Sequence, residues 1–521
     1  MHQLAAQFVF QILKNPPKTR TELQKLKNIF SAAHTLSVFT NQDIVLAYKM
    51  LREQGRVEKN LAFEKLIRKR SIRSLSGVAV VTVLMKPYPC PGKCVFCPTE
   101  ARMPKSYLSN EPGAMRALLN DFDPYRQVKN RLLALEASGH PTDKVELIVL
   151  GGTFSSYPRQ YQQDFIRQCL NAMNGGAKER SLEKAQKKNE TARHRLVGLS
   201  LETRPDFVTE DEIRHFRSLG CTKIQLGVQH LDTDVLVLNK RGHGKEAVIL
   251  ATRICKDAGL KICYHIMPNL PGSTPEKDLA MFRELFTNPD FRPDYLKIYP
   301  CSVVPGSELA HWFAQGKYQS YPFPILEKLL VDMKKVVPRY VRIDRLVRDI
   351  PGESILEGSR VTNMRQMIAQ KYPNLGCQCI RCREIRDEPI VKEKLTFRKL
   401  EYIAQKGREV FLEYVQGEKL CALLRLRLLS LRRATKQSHC ADHIAIIREV
   451  HVFGAHLPLG KREKSASQHF GLGKKLIFEA EKIAQESGFD KIAIISAIGT
   501  RPYYRKLSYR LSGTYMVKKL M

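Results

Sequence analysis

No stretch of this 521-residue sequence is apolar for long enough to cross a membrane. Its longest uncharged apolar runs are about eight to ten residues, against the roughly 20 that a membrane helix needs. The opening segment, Met1 to Lys14, has no basic leader region and no small-residue cleavage site, so it reads as an amphipathic first helix and not as a signal peptide. No lipidation motif or long basic amphipathic helix stands out, which argues against a membrane surface as partner. The thirteen cysteines do not resemble a disulfide framework, since six fall in two short motifs and the rest are scattered. Such usage points to a reducing compartment, and the cytoplasm is the expected location.

Acidic residues are also in short supply. Against 86 Lys and Arg stand 52 Asp and Glu, a formal charge of +34. That excess implies a polyanionic partner, most simply nucleic acid, without separating RNA from DNA. With 43% hydrophobic and 26% charged residues the composition is otherwise that of a globular protein, and the length predicts about three domains. Residues 1–75 carry 14 Lys or Arg against 5 Asp or Glu and end in the basic run Lys65 to Arg73. Apolar residues recur at helical spacing there, as in Ile44 to Leu51, which predicts a basic helical unit that contacts nucleic acid.

From residue 78 to about 325 strand and helix signals alternate. The strand-like runs are Val78–Met85, Val145–Leu150, Leu196–Leu201, Ile224–Val228, Ile262–Ile266 and Tyr295–Tyr299. Helical stretches such as Phe207–Ser218 and Glu246–Ala258 separate them, so the expected class is α/β with a parallel sheet or barrel. Ligands of such sheets gather at the C-terminal strand ends. Cys90-Pro-Gly-Lys-Cys94-Val-Phe-Cys97 follows the first run, Gly151-Gly152 the second, Glu202-Thr-Arg204 the third and Gln229 the fourth. Lys297 falls on the last run, where it either snorkels out or faces a charged ligand. Residues 175–195 read as a charged surface insertion between barrel units.

Three cysteines at i, i+4 and i+7 converge on one inorganic centre and leave a fourth position open. The alternatives are a zinc knuckle short of one ligand, or three unrelated buried thiols. The C-x3-C-x2-C spacing, with Phe96 before the last cysteine, resembles the radical S-adenosylmethionine (SAM) enzymes, and the strand-end residues resemble that family's partial (β/α) barrel. The resemblance implies a 4Fe–4S cluster on Cys90, Cys94 and Cys97, with SAM contacted by Gly151, Gly152, Glu202, Arg204 and Gln229. A second motif, Cys377-Gln-Cys379-Ile-Arg-Cys382, is read as a structural zinc site in a linker spanning 326–390, with a second cluster as the alternative. Its fourth ligand is open, with Cys301 and several histidines as candidates. Arg342, Arg345 and Arg348 read as a further phosphate-facing surface.

From 391 onward the pattern changes to α+β. Leu420–Leu431 alternates Leu with Arg, as a half-buried antiparallel strand would. Gln468-His469-Phe470-Gly471-Leu472-Gly473 is a glycine-bearing turn at a helix N-terminus, suited to a pyrophosphate. The order strand, turn, helix, strand Lys491–Ser496 and aromatic tail resembles the GNAT acetyltransferases. The resemblance implies acetyl-CoA at Gln468–Gly473, with Tyr503 and Tyr504 beside the thioester unless they are core tyrosines.

A basic helical unit (1–75), a radical SAM barrel (76–325), a cysteine motif and a GNAT domain (391–521) in one chain together resemble the catalytic subunit of Elongator. Lys86-Pro-Tyr-Pro-Cys90, Leu201-Glu-Thr-Arg-Pro-Asp206 and Arg501-Pro-Tyr-Tyr-Arg-Lys-Leu507 carry the match. It implies carboxymethylation of the wobble uridine of tRNA, with the anticodon stem-loop, acetyl-CoA and an electron donor as partners. Tyr503, Tyr504 and Lys297 would then be the catalytic candidates. The complete second motif resembles bacterial or archaeal members, which implies a chain that works without other Elongator subunits. Two rivals remain: a lysine acetyltransferase with a vestigial cluster domain, in which Glu449 or His451 is the base, and a non-catalytic RNA-binding module.

Overall fold

The computed structural model of the chain describes residues 2–34, 40–67, 77–386, 388–429, 444–454 and 471–520. Four helices open it: α1 (His2–Lys14), α2 (Arg20–Ala33), α3 (Asn41–Glu53) and α4 (Leu61–Ile67). Capping boxes start two of them, Thr19 with Glu22 on α2 and Thr40 with Asp43 on α3. Phe8, Val9, Phe30, Ile44, Tyr48, Leu51 and Phe63 give this unit a core of its own. Lys49 Nζ ties it to the helix Pro124–Ala137 through the Glu136 carbonyl at 2.8 Å. Most of the basic run Lys65 to Arg73 lies outside the described residues.

Seven parallel strands follow in chain order, each paired with the next: β1 (Val78–Leu84), β2 (Lys144–Leu150), β3 (Arg195–Thr203), β4 (Lys223–Gln229), β5 (Lys261–Ile266), β6 (Tyr295–Ile298) and β7 (Arg342–Arg345). Helices such as Glu210–Ser218 and Lys245–Asp257 make the crossovers, and their apolar faces cover the outside of the sheet. Pairing runs from β1 to β7 without closing, so the strands form a curled half-barrel with a lumen. The sheet continues past residue 325, the expected end of the barrel, because β7 joins it at β6, although its alternating arginines have the pattern of a charged surface. Arg342 instead pairs with Asp344 and Glu384, Arg345 with Asp349 at 2.6 Å, and Arg348 with Glu111 at 2.7 Å. These guanidiniums hold the seventh strand in place, which corrects their reading as a free phosphate surface.

The C-terminal domain is a second seven-stranded sheet: β8 (Leu395–Ala404), β9 (Gly407–Gln416), β10 (Lys419–Leu428), β11 (Ile444–Val452), β12 (Lys491–Ile494), β13 (Arg510–Ser512) and β14 (Tyr515–Lys519). Its only parallel pair among the described residues is β11 with β12, and this pairing stops at Ile447 and Ile494 while β11 runs on to Val452. The two strands therefore splay, and the helix Leu472–Glu486 begins beside the opening.

The second sheet sits against the N-terminal ends of the barrel strands. β10, expected to be half-buried, is buried on both faces, and Arg425 and Arg427 are among the most deeply buried side chains. They meet carboxylates in place of solvent. Arg427 binds Asp257 and Glu409, Arg425 binds Glu449, and Arg448 binds Asp294 and Glu409. The expected surface insertion is also an interface. Ala185 and Asn189 are fully buried, and Glu190 binds Arg505 at 2.6 Å and Arg501 at 3.5 Å. At Gly499 the approach is so close that a Cβ would lie 2.6 Å from Arg195 Cβ and 2.9 Å from the Leu196 carbonyl oxygen. Backbone cannot yield there as a flexible side chain would. Gly499→Val is therefore expected to cost about 1–3 kcal/mol, read as a lowered urea midpoint.

Candidate active site

The loop after β1 brings its cysteines together around Gly92. A Cβ on that glycine would sit 3.6 Å from both Cys90 Sγ and Cys94 Sγ, and 2.5 Å from Arg204 Nη1. Any side chain would fill the space between the sulfurs. Arg241 Nη1 donates to Cys94 Sγ at 3.3 Å, while buried Arg204 Nη1 has no protein partner. The Cys94 thiol is pulled well below its ordinary pKa, first by its hydrogen bond with Cys97 and then by Arg241 and Arg204, whereas that bond and burial push Cys97 up. Three soft donors in a cationic, largely buried pocket fit the 4Fe–4S cluster that the resemblance to radical SAM enzymes implies.

Gly151 and Gly152 follow β2 with φ of +125° and +93°, a region that glycine alone enters freely. A Cβ on Gly151 would press on the Met85 backbone nitrogen at 3.2 Å, so this turn sets where the cysteine loop leaves β1. Arg204 turns away from the main cavity, held by Asp206 at 2.8 Å and the Arg241 carbonyl at 3.0 Å. Gln229 has φ of +70° and a buried Oε1 without a partner. Glu202 accepts from Tyr107 OH at 3.0 Å and lies 3.5 Å from His265 Nδ1. Burial raises the Glu202 pKa, with Lys297 and Tyr107 pulling against it.

Lys297 faces the lumen and does not snorkel out, for it is buried and donates to Gln225 Oε1. The same oxygen lies 3.0 Å from His265 Nε2. Burial and the Lys297 charge push the His265 pKa well down, so the ring is neutral. Lys297, Gln225, His265, Glu202 and Tyr107 thus form one polar chain along the inside of the half-barrel.

At the opposite end of the lumen, Gly471 adopts a left-handed conformation with φ of +65° and caps the helix Leu472–Glu486 without a side-chain hydrogen bond of its own, so its first N–H groups have no partner within the helix. Gly473 lets this helix approach Tyr503, whose OH is 3.4 Å from where a Cβ would be. Leu472 points into the core. Tyr503 is 40% exposed, while Tyr504 is buried and packs edge-on against it at 5.2 Å. Glu449 accepts from Tyr295 OH and from Arg425 Nε at 2.8 Å. Burial would raise its pKa, but Arg425 and Lys261 hold it at about 2. Gln468, His469 and Phe470 lie outside the described residues.

These two ends share one cavity of about 2440 Å³. Cys97, Glu202, Gln229, Arg241 and Lys297 line it at the cysteine end, and Glu449, His451, Gly473, Tyr503 and Tyr504 at the other. Cys90, Cys94, Gly151, Gly152, Arg204 and Leu472 do not line it.

Comparison with known proteins agrees with this geometry. Residues 88–285 match the family described as the radical SAM superfamily, and residues 293–373 the radical SAM C-terminal domain. A protein of Methanocaldococcus infernus named tRNA uridine(34) acetyltransferase is 43% identical over 475 residues, covering 87% of this chain and 88% of its own length. Elongator complex protein 3 of Homo sapiens is 38% identical over 474 residues, covering 87% of this chain and 86% of its own. This chain belongs to the Elongator complex protein 3 family. A solved structure, archaeal Elp3 of Methanocaldococcus infernus with an N-terminal deletion, matches with a TM-score of 0.74 at 40% identity, covering 86% of this chain and 100% of that one.

Beside the cavity, this member of the Elongator complex protein 3 family carries the second cysteine motif. The sulfurs of Cys377, Cys379 and Cys382 lie within 4.8 Å of one another, and no fourth donor joins them among the described residues. Cys301 is ruled out as that donor, because it packs in a separate apolar cluster with Cys94, Phe96 and Tyr318. Hydrogen bonds from the other two cysteines, together with Lys334 at 3.4 Å, hold the Cys382 thiol low. Tyr107, Gln225 and Arg241 escaped the reading of the sequence. Gln225 alone carried a signal there, as a polar residue facing the lumen four positions before Gln229 on β4.

Proposed function

We propose that the chain modifies the wobble uridine of tRNA, replacing the hydrogen on C5 with a carboxymethyl group drawn from acetyl-CoA. The observation that carries this reading is the single cavity from Cys97 to Tyr503, since an acetyl group delivered at one end must meet the radical chemistry of the other. When bound, the 4Fe–4S cluster and SAM supply the one-electron chemistry that takes hydrogen from an unactivated carbon such as the acetyl methyl. The protein's own work is to bind, orient and exclude water. Cys90, Cys94 and Cys97 are the cluster ligands, and Gly151, Gly152, Glu202, Arg204 and Gln229 offer the polar and backbone groups for SAM. The helix N-terminus at Gly471–Gly473 takes the CoA pyrophosphate.

Tyr503 and Tyr504 sit where the thioester arrives, and Lys297 presents a cation to the lumen. His451 is half-buried, and the cost of desolvating its charge lowers its pKa, so its neutral ring can accept the proton of the water that cleaves the thioester. Cleavage releases CoA and leaves the carboxylate on the new carbon. A single-stranded anticodon loop can splay its uridine into such a cavity, and the charge of +34 holds the phosphates.

The decisive test supplies anaerobically reconstituted protein with dithionite, SAM, acetyl-CoA and unmodified tRNA, and analyses the nucleosides by mass spectrometry. A carboxymethyl adduct that needs both cofactors is expected. Acetyl-CoA turnover without an adduct would leave only an acetyltransferase standing. Zinc on Cys377, Cys379 and Cys382 belongs to the same proposal. Cys379→Ser is expected to remove about one equivalent of zinc by elemental analysis and to lower the melting temperature, since metal binding is coupled to local folding.

A further inference from the structure

The arginines of β7 are paired with carboxylates, but two arginines beside that strand are not. Arg365, on the helix Met364–Lys371, donates from Nη2 to the Ile343 carbonyl at 2.7 Å. Arg381, on the short helix Ile380–Arg383, donates from Nη1 to the Asp344 carbonyl at 2.7 Å. Each thus commits one of its five N–H donors to β7, and neither is in an ion pair among the described residues. Both are half-buried and line the main cavity. Of the neighbouring charges that bear on Arg381, Arg365 acts most strongly, followed by Arg342, Asp344 and Glu384. Arg342 binds both of those carboxylates, Asp344 at 3.1 Å. The Cys382 sulfur, which also feels the Arg365 charge, accepts from Lys334 at 3.4 Å. From Gly358 to Arg383 the chain has five Lys or Arg and no Asp or Glu. Two guanidiniums held close in a half-buried place, with no carboxylate of their own, repel one another until an anion joins them.

We propose that Arg365 and Arg381 together grip one backbone phosphate of the RNA, next to the uridine that enters the lumen. The inference rests on the reading of tRNA as the substrate. Planar guanidinium forks match the oxygens of a phosphate, and a pair of them fixes its orientation. Thr362, Asn363 and Gln366 are exposed on the same cavity wall and add neutral donors. The position suits a nucleotide. β7 is the last strand of the unclosed half-barrel and pairs only with β6, where Lys297 stands opposite Arg345. A nucleotide gripped at this edge keeps its charged backbone at the rim while its base enters the lumen. The phosphates of CoA are the other source of the same chemistry, but they have their own place at Gly471–Gly473.

The test titrates a fluorescently labelled, unmodified anticodon stem-loop with the full-length protein and follows anisotropy across a salt series. Two further stem-loops carry an uncharged methylphosphonate in place of the phosphate on the 5′ or the 3′ side of the wobble uridine. Combining Arg365→Gln with Arg381→Gln is expected to weaken binding of the natural stem-loop at least about tenfold. It should also reduce the slope of log K against log salt by about 0.7, the value of one single-stranded phosphate. One of the two methylphosphonates is expected to cost the wild type as much and the double variant nothing further. Combining Arg365→Lys with Arg381→Lys keeps the charges and loses the forks, so it should hold the slope and weaken affinity. That second variant decides the matter if the first does not fold. Acetyl-CoA affinity, measured by calorimetry, should not change. Unchanged RNA binding by the double Gln variant, or a full methylphosphonate loss on top of it, would overturn the proposal. Lost acetyl-CoA affinity with RNA binding intact would assign the pair to CoA and overturn it too. A wild type that does not bind the natural stem-loop would refute the tRNA reading itself.

Discussion

Replacing Cys94 with alanine is expected to strip the cluster and, with it, SAM cleavage and tRNA modification, by at least about a thousandfold. Acetyl-CoA binding should survive unchanged. The asymmetry follows from where Cys94 stands. It is buried at the junction of the cysteine loop and the apolar layer behind it, and it alone of the three accepts a hydrogen bond from Arg241. Alanine removes one of three soft ligands and leaves two cationic side chains facing an apolar methyl. The end proposed for acetyl-CoA lies across the lumen, on Gly471, Gly473 and Tyr503, and touches none of this. Iron and sulfide content, 5′-deoxyadenosine formation and calorimetric titration with acetyl-CoA measure the three arms. Retained 5′-deoxyadenosine formation would place the cluster elsewhere. Lost acetyl-CoA binding would mean that the two ends fold as one unit.

The barrel was legible in the sequence because its strands are short apolar, β-branched runs separated by helical periods, as in Val78–Leu84 and Lys144–Leu150. The cysteine loop was legible because its ligands are local. What stayed hidden depended on partners far along the chain. The Leu/Arg alternation of β10 has the period of a half-solvated strand, yet Arg425 and Arg427 face Glu449 and Asp257, which lie 24 residues after and 170 residues before them. Arg342 and Arg348 misled in the same way, since Glu384 and Glu111 that satisfy them lie outside the local pattern. Lys297 could not be assigned to a face until its hydrogen bond to Gln225 fixed it. Charge spacing tells a strand which residues share a side, and only the fold tells that side whether it meets water or carboxylates.

The same contrast makes Asp294 the position whose loss should damage the fold most. Fully buried just before β6, it accepts from Arg448 Nη2 at 2.5 Å, Arg448 Nη1 at 2.9 Å and Ile262 N–H at 2.9 Å. Lys256 lies 3.6 Å away and Arg425 3.5 Å. Burial by itself would raise its pKa, but Arg448, Lys256 and Arg425 hold it far below the ordinary carboxylate range. Asp294→Ala leaves those three cations across the domain interface with only Glu409, already shared by Arg448, Lys256 and Arg427, and Glu449, bound to Arg425. Removing one member of a buried charge network costs about 3–5 kcal/mol, and that loss is expected in the urea midpoint of Asp294→Ala. A loss below about 1 kcal/mol, the range of an exposed pair, would show that the network contributes little to stability. The pH dependence gives a second check. Glu449 falls from an ordinary 4.5 to about 2 in the folded chain, a depressed carboxylate. Its stabilisation is therefore complete above pH 4.5 and lost as pH falls toward 2, and Asp294 adds to the same acid-side slope. Asp294→Asn, which keeps the shape and drops the charge, should flatten that slope while leaving the neutral-pH melting profile the lower of the two.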